Sequence, residues 1–144
     1  MFVAALGAAI AFAALRGTAD AGGDKRGAAE SPARPAPDSA TIAAGEKLFI
    51  KNCTPCHGAS GHGDGPASVA LNPKPRNFTQ PSQFKSKTDD EVFQVISKGG
   101  AARKLSPAMP PWGPTLKREQ IWQLIAFIRT FPARDSIARA HAAK

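Results

Sequence analysis

Two cysteines and a histidine stand close enough together in the sequence to act on one bound group. Cys53 and Cys56 are separated by two residues, and His57 follows directly. This C-x-x-C-H spacing is the attachment signature of c-type haem. Two thiols one helical turn apart can each add to a vinyl group of the porphyrin, and the next imidazole can bind the iron. The motif predicts covalent haem at Cys53 and Cys56, with His57 as a metal ligand.

The same cysteines have two other interpretations. A thiol–disulfide site of the thioredoxin kind also contains C-x-x-C, but it needs a βαβ context that this sequence lacks. A zinc site of Cys53, Cys56, His57 and His62 would have neither the spacing of a zinc finger nor a second Cys or His pair. Haem is therefore the preferred interpretation, and the other two remain alternatives.

The elements that must position this motif are helices. Apolar residues recur with helical spacing at 41–52, 88–98 and 116–131. Thr88 and Glu91 form a capping box at the start of the second helix. Gly99-Gly100 is expected to end that helix in a left-handed conformation, and Pro132 is expected to stop the third.

A long loop separates the first two helices. Residues 53–87 contain Gly, Pro, Asn and Ser throughout, and a compact domain rarely holds such a loop unless the loop wraps around something. No segment alternates like a strand. Gly45 lies inside the first helix, where glycine costs about 0.5–1 kcal/mol relative to alanine, so we expect another helix to cross closely there. The sequence predicts an all-α fold with three main helices and long loops around one bound group.

Four features in order carry a resemblance to a known family. They are Gly45 and Phe49 before the first cysteine, C-x-x-C-H at 53–57, Met109-Pro110-Pro111-Trp112, and Leu124-Ile125-Ala126-Phe127. With them, residues of about 41 to 132 resemble the class I c-type cytochromes, the mitochondrial cytochrome c type. Gly63-Asp64-Gly65-Pro66 and the segment Pro73 to Phe78 are similar to bacterial members. The resemblance implies the class I cytochrome c fold, in which the two terminal helices cross at Gly45.

The resemblance also implies residues that bind the haem. Met109 is the expected sixth ligand of the iron, and His62 is the competing candidate. A proline carbonyl is expected to accept a hydrogen bond from the other His57 nitrogen, since metal-bound histidines usually donate their second N–H. Pro66 is the preferred proline, and Pro73 and Pro75 stay open. Arg76 and Trp112 are candidates for binding the haem propionates by charge pairing and N–H donation.

The implied function is electron transfer without catalysis. A haem with histidine and methionine on its two axial positions has no open site for a substrate, which indicates a single-electron carrier rather than an enzyme. The alternative is a haem c subunit dedicated to one periplasmic or membrane redox enzyme. Redox proteins such as a membrane respiratory complex or a periplasmic oxidoreductase are the expected partners. Four lysines are candidates for steering acidic docking faces: Lys74, Lys85, Lys87 and Lys104.

Regions outside this domain indicate where the protein acts. Residues 1–21 resemble a signal peptide or a membrane tether, although no Lys or Arg precedes the apolar run. Residues 22–40 are expected to form a flexible linker, 41–132 the cytochrome domain and 133–144 a polar tail. We therefore expect a periplasmic location. The net charge of +8 comes without a nucleic-acid-binding signature, so nucleic acid is not an expected partner.

Overall fold

Helices and loops make up the part of the chain that the structure describes. The structure, a computed structural model, describes residues 34–84 and 86–143. Its α-helices are α1 (Ser39–Asn52), α2 (Thr54–His57), α3 (Pro81–Phe84), α4 (Asp89–Lys98), α5 (Arg118–Ile128) and α6 (Phe131–Ala142), and its 3₁₀ helices are Pro66–Ala70 and Ala101–Arg103. No strand occurs within the described residues, which confirms the predicted all-α class there.

The first helix begins slightly before its predicted start. Asp38 is its N-cap, and the Asp38 carboxylate accepts a hydrogen bond from the Thr41 backbone N–H at 2.7 Å. Such a cap satisfies one of the N–H groups that a helix start leaves without a partner. The helix therefore includes the last two residues of the predicted linker. The predicted signal segment and linker residues 22–33 lie outside the described residues.

The fourth helix has the predicted cap. The Glu91 N–H donates to Thr88 Oγ1 at 3.2 Å, and the Thr88 N–H donates to Glu91 Oε2 at 2.8 Å. The capping box is therefore present. Gly99 follows the helix with φ of 78° and ψ of 169°, while Gly100 is right-handed. Gly99 supplies a positive φ, but neither residue adopts the left-handed helical conformation expected from the sequence.

Pro132 starts a helix instead of only stopping one. The predicted helix at 116–131 is shorter, because α5 runs from Arg118 to Ile128, and α6 begins at Phe131 with Pro132 in its first turn. Proline fits there because the first N–H groups of a helix have no intrahelical acceptor. The polar tail predicted at 133–144 is helical up to Ala142. Within the described residues, no helix is long and apolar enough to cross a membrane.

The first and fifth helices cross with their backbones in contact at Gly45. A Cβ atom placed on Gly45 would lie 2.0 Å from the Gln123 carbonyl oxygen and 2.9 Å from the Phe127 Cβ. No side chain larger than hydrogen fits at that position. The crossing predicted from the otherwise unfavourable glycine is confirmed.

A group of phenylalanines fills the space beside this crossing. Phe49 is fully buried, and its ring centroid lies 5.4 Å from that of Phe127 and 5.2 Å from that of Phe131. Burying one such side chain stabilises a fold by roughly 1.5–3 kcal/mol. Phe78, from the long loop, joins the group with its centroid 6.3 Å from that of Phe49. The long loop is thus attached to the same core as the terminal helices.

The crossing leads to a stability prediction for Gly45→Ala. Helix propensity alone would stabilise this variant by about 1 kcal/mol, whereas overpacking costs typically 1–3 kcal/mol. Since the new methyl group would meet a backbone carbonyl that cannot rotate away, we expect the overpacking cost to exceed the propensity gain, with a net loss of up to roughly 2 kcal/mol in the free energy of unfolding. Chemical denaturation followed by far-UV circular dichroism measures this loss.

Ala43→Gly is the matched control, because Ala43 is exposed on the same helix. It should lose only the propensity difference of about 1 kcal/mol. A Gly45→Ala variant that is as stable as the wild type, or more stable, would show that the helices are not held by this close contact.

Candidate functional site

The C-x-x-C-H motif lies where the first helix turns into the second. Cys53 ends α1, with its N–H donating to the Phe49 carbonyl at 2.8 Å, and it also precedes α2. The His57 N–H then donates to the Cys53 carbonyl at 2.9 Å. The motif is therefore one helical turn, which places the two cysteines on the same side of it. This is the arrangement that two thioether bonds to one porphyrin edge require.

The environment of Cys53 does not favour thiol–disulfide chemistry. Burial raises the pKa of Cys53 to about 12, and the neighbouring Cys56 adds to the shift. Redox-active C-x-x-C pairs need the opposite, a lowered pKa that supplies a thiolate at neutral pH. The Cys53 thiol instead stays protonated, so the thioredoxin-like alternative loses support.

The His57 imidazole is held in its neutral form with one nitrogen facing a backbone carbonyl. Burial lowers the pKa of His57, and the contact with Arg76 opposes that shift. His57 Nδ1 lies 3.4 Å from the Arg76 carbonyl oxygen. A neutral imidazole is the form that binds metals. An N–H at Nδ1 leaves the lone pair of Nε2 available to an iron atom.

The carbonyl that the structure places beside His57 is that of Arg76, whereas Pro66 is the acceptor preferred from the sequence. Pro66 begins a 3₁₀ helix at 66–70, and the carbonyls of such a helix point along its axis to its own later N–H groups. The Arg76 carbonyl, which follows Pro75, lies beside the imidazole instead. This acceptor could not be predicted from the sequence, because every residue has the same backbone carbonyl. The residue type of Arg76 therefore does not mark it as the acceptor.

The loop that contains Met109 is bound to the end of α4 by backbone hydrogen bonds. The N–H groups of Trp112 and Gly113 donate to the Ile96 and Ser97 carbonyls, both at 2.9 Å. The Gly100 N–H donates to the Met109 carbonyl at 3.0 Å. The last carbonyls of a helix lack intrahelical donors, and the Met109 loop supplies them. The position of this loop is therefore set by where α4 ends.

The side chains of this loop are partly buried against the core. Met109 and Trp112 both pack against the buried cluster, while Arg76 is exposed. Their predicted roles, a sulfur ligand for Met109 and propionate binding for Arg76 and Trp112, stay predictions.

His62, the competing ligand candidate, is engaged elsewhere. His62 Nδ1 lies 2.9 Å from Ser60 Oγ, and His62 Nε2 lies 3.2 Å from an Asp135 carboxylate oxygen on α6. Both ring nitrogens therefore have partners. In the part of the chain that the structure covers, no three His, Cys, Asp or Glu side chains are grouped to hold a metal ion, so the zinc alternative also loses support.

The residues of this region fit a covalently bound haem. One helical turn presents two thiols and a neutral imidazole, which is the chemistry of haem attachment and of an iron ligand in cytochromes c. Exposed apolar side chains that follow the motif in the chain support the fit, since Val69 is 79% exposed and Leu105 46% exposed. Those side chains offer apolar contact area that a porphyrin ring can use.

Comparison with known proteins places the described domain in one family. Residues 40–128, more than half of the chain, match the family described as cytochrome c oxidase, cbb3-type, subunit III. No curated protein sequence shows a significant match to the chain.

Two solved structures are similar to the chain. One is a chain of the Kuenenia stuttgartiensis reducing HAO-like protein complex Kustc0457/Kustc0458, with a TM-score of 0.57 and 25% identity over 71% of this chain and 48% of that one. The other is the KustC0563 c-type cytochrome, with a TM-score of 0.48 and 25% identity over 60% of this chain and 95% of that one. The present chain thus spans about half the length of the first of these chains.

The family match covers the crossing of α1 and α5, the cysteine motif and the Met109 loop together. The chain therefore belongs to the family of cytochrome c oxidase, cbb3-type, subunit III, and it is an all-α class I c-type cytochrome, an electron-transfer protein with haem c as its cofactor.

Proposed function

We propose that the chain carries single electrons on one haem c that is attached at Cys53 and Cys56 and ligated by His57 and Met109. The observation that carries this proposal is the helical turn at 53–57, which presents two thiols and a neutral imidazole from one rigid segment. When bound, the haem supplies a reversible one-electron change at its iron. Cys53 and Cys56 would hold the group covalently, and His57 and Met109 would bind its iron.

The two proposed ligands favour a stable reduced state and exclude substrates. A methionine sulfur on the iron raises the reduction potential relative to a second nitrogen ligand. Two protein ligands also leave no coordination position for a small molecule. Met109 can serve in this way because its own carbonyl accepts a hydrogen bond from the Gly100 N–H, and the Trp112 N–H, three residues later, donates to Ile96 of α4.

Positive charge around the Met109 loop supports docking with acidic redox partners. Between Glu91 and Glu119 the chain has no acidic residue and five basic ones: Lys98, Arg103, Lys104, Lys117 and Arg118. All five are exposed. Such a surface raises association rates with acidic partners through long-range attraction.

Of the lysines expected to steer partners, Lys74 has a structural contact. Its ammonium donates to the Ser68 and Val69 carbonyls at 2.8 and 3.1 Å. Lys87 lies 3.5 Å from a Glu91 carboxylate oxygen. Lys104 lies in the basic segment, the stretch from Lys98 to Arg118 that contains the five basic residues. Lys85 lies outside the described residues. The steering charge is therefore better assigned to the basic segment around Met109 than to Lys74.

A second candidate function is that of a haem subunit in a larger redox enzyme. The family description names an oxidase subunit, and a similar chain of known structure is part of a redox-protein complex. The same haem site serves both functions, because only the partner differs. A location outside the cytoplasm, with or without a membrane tether, belongs to either proposal and rests on residues 1–21.

Covalent attachment predicts a defined mass. We expect the protein made with a working haem-maturation system to show, under denaturing conditions, the mass of the chain plus one haem. The double variant Cys53→Ala/Cys56→Ala should lose this added mass, while His62→Ala should keep it, because His62 is bound to Ser60 and Asp135. A wild-type protein without haem mass would contradict the attachment.

Ligation by Met109 predicts a specific effect of its removal. The reduced wild-type protein should not bind carbon monoxide at neutral pH, whereas Met109→Ala should bind it and should have a lower reduction potential. Optical titrations measure both. Ile137→Ala, an exposed apolar residue of α6, is the control and should match the wild type. Ready binding of carbon monoxide to the wild type would exclude Met109 as a firm ligand.

Purification separates the carrier from the enzyme subunit. The carrier should elute as a monomer, and its rate of electron transfer to its partner should fall as salt screens the basic segment. Replacing Arg103 and Lys104 by Glu should reduce that rate more than replacing the exposed Lys47 and Arg139 by Glu. Stable co-purification with a redox enzyme would instead favour the subunit.

A further inference from the structure

The face of the His57 imidazole lies against an aromatic ring that the ligand chemistry does not require. The centroid of the Phe78 ring is 4.7 Å from that of His57, with 18° between the ring planes. The centroid of the Phe131 ring lies 6.1 Å from that of Phe78, with 16° between those ring planes. Three nearly parallel rings therefore connect the proposed iron ligand to the first residue of α6.

Local hydrogen bonds fix Phe78 in this stack. Its N–H donates to the Gly61 carbonyl at 2.7 Å. Just before it, Asn77 Oδ1 accepts from the Thr79 N–H at 2.9 Å and from the Thr79 hydroxyl at 2.8 Å, which closes a tight turn. Phe78 is 8% exposed and Thr79 is 4% exposed. The ring cannot move without breaking this turn or opening the core.

Phe131 supports Phe78 by packing against its ring. Phe131 is 3% exposed, and it also packs against Gly61 in the loop that follows the motif. Four residues further along α6, Asp135 contacts His62 of that loop at 3.2 Å. Phe131 and Asp135 lie beyond residue 128, where the family match ends. Helix α6 therefore contacts the loop that follows the haem motif.

The contact between His57 and the backbone does not by itself set the plane of the imidazole. At 3.4 Å, the distance from Nδ1 to the Arg76 carbonyl is long for a hydrogen bond. Such a bond constrains one atom weakly and leaves the ring free to rotate about its own axis. A flat ring stacked at 4.7 Å opposes that rotation, since turning the imidazole would drive its edge into Phe78.

We propose that Phe78, supported by Phe131, is a positioning residue that fixes the plane of the His57 imidazole toward the haem. The inference rests on the proposed ligation of iron by His57. The orientation of an axial imidazole plane sets its overlap with the iron d orbitals, and groups behind a ligand adjust a metal in this way. The orientation is visible in the proton NMR spectrum of the oxidised protein, through the spread of the haem-methyl shifts.

The test compares two phenylalanines in the holoprotein. Phe78→Leu removes the stacked face and should change the haem-methyl spread or produce more than one set of signals. Phe93→Leu is the matched control, because Phe93 is 7% exposed and has its own aromatic contact, with Trp122 at 4.7 Å. This control loses a similar core contact away from His57, so it should keep the wild-type spread.

Two further variants test the proposal even if Phe78→Leu does not fold. Phe78→Tyr keeps a flat ring and should keep the wild-type spread. Phe131→Leu removes the support and should shift the spread in the direction of Phe78→Leu, but by less. Equal spectra for wild type, Phe78→Leu and Phe131→Leu would overturn the proposal, as would a Phe93→Leu spectrum that changes as much as that of Phe78→Leu.

The wild-type spectrum separates this proposal from the one on which it depends. If no paramagnetically shifted imidazole signals of an axial histidine appear, the ligation by His57 fails. If those signals are present and the variants leave the haem-methyl spread unchanged, the ligation stands and the positioning role of Phe78 fails.

Discussion

The contact between the backbones of α1 and α5 at Gly45 determines where the rest of the site lies. Gly45, Phe49 and Cys53 follow one another at intervals of four residues, so they lie along one face of the first helix. The Gln123 carbonyl meets this face at Gly45, and Phe127 and Phe131 meet it at Phe49. With two points of the face fixed, the direction in which Cys53 leaves the helix is fixed as well.

The second half of the site depends on a different element, the end of α4. Three backbone hydrogen bonds join the Met109 loop to residues 96–100. Helix α4 is in turn joined to the end of α5 by the ion pair of Asp89 with Arg129, the residue that follows α5, at 2.7 Å. The Arg129 group is partly buried, and burial lowers its pKa without removing its charge. The positions of both halves of the site therefore depend on α5, one through the Gly45 crossing and one through α4.

Sequence patterns predicted the features that depend only on the types of residues that are neighbours in the chain. The capping box of Thr88 and Glu91 was correct because two side chains within one turn define it. The crossing was correct because a glycine inside a helix has a cost that only a close contact offsets. Pro132 was interpreted only as a stop, although proline is as compatible with a first helical turn as with an end.

Contacts between residues far apart in the chain could not be predicted from the sequence. The acceptor for His57 is a backbone carbonyl, which has no signature in residue type. The partner of His62 is Asp135, far along the chain on a helix that was predicted to be a polar tail. Phe78 belongs to the segment from Pro73 that is similar to bacterial cytochromes, but no residue type in the loop indicates which ring Phe78 faces.

The two halves of the site differ in how strongly they are held, and this difference bears on electron transfer. Buried aromatic rings from the long loop, α1, α5 and α6 enclose the His57 side. In contrast, residues 101–105 of the Met109 loop are all exposed, and the loop relies on backbone hydrogen bonds near a helix end. Segments with few buried contacts open at the lowest free energy. The methionine side is therefore the part of the site that should open first, while the histidine side keeps the haem in place.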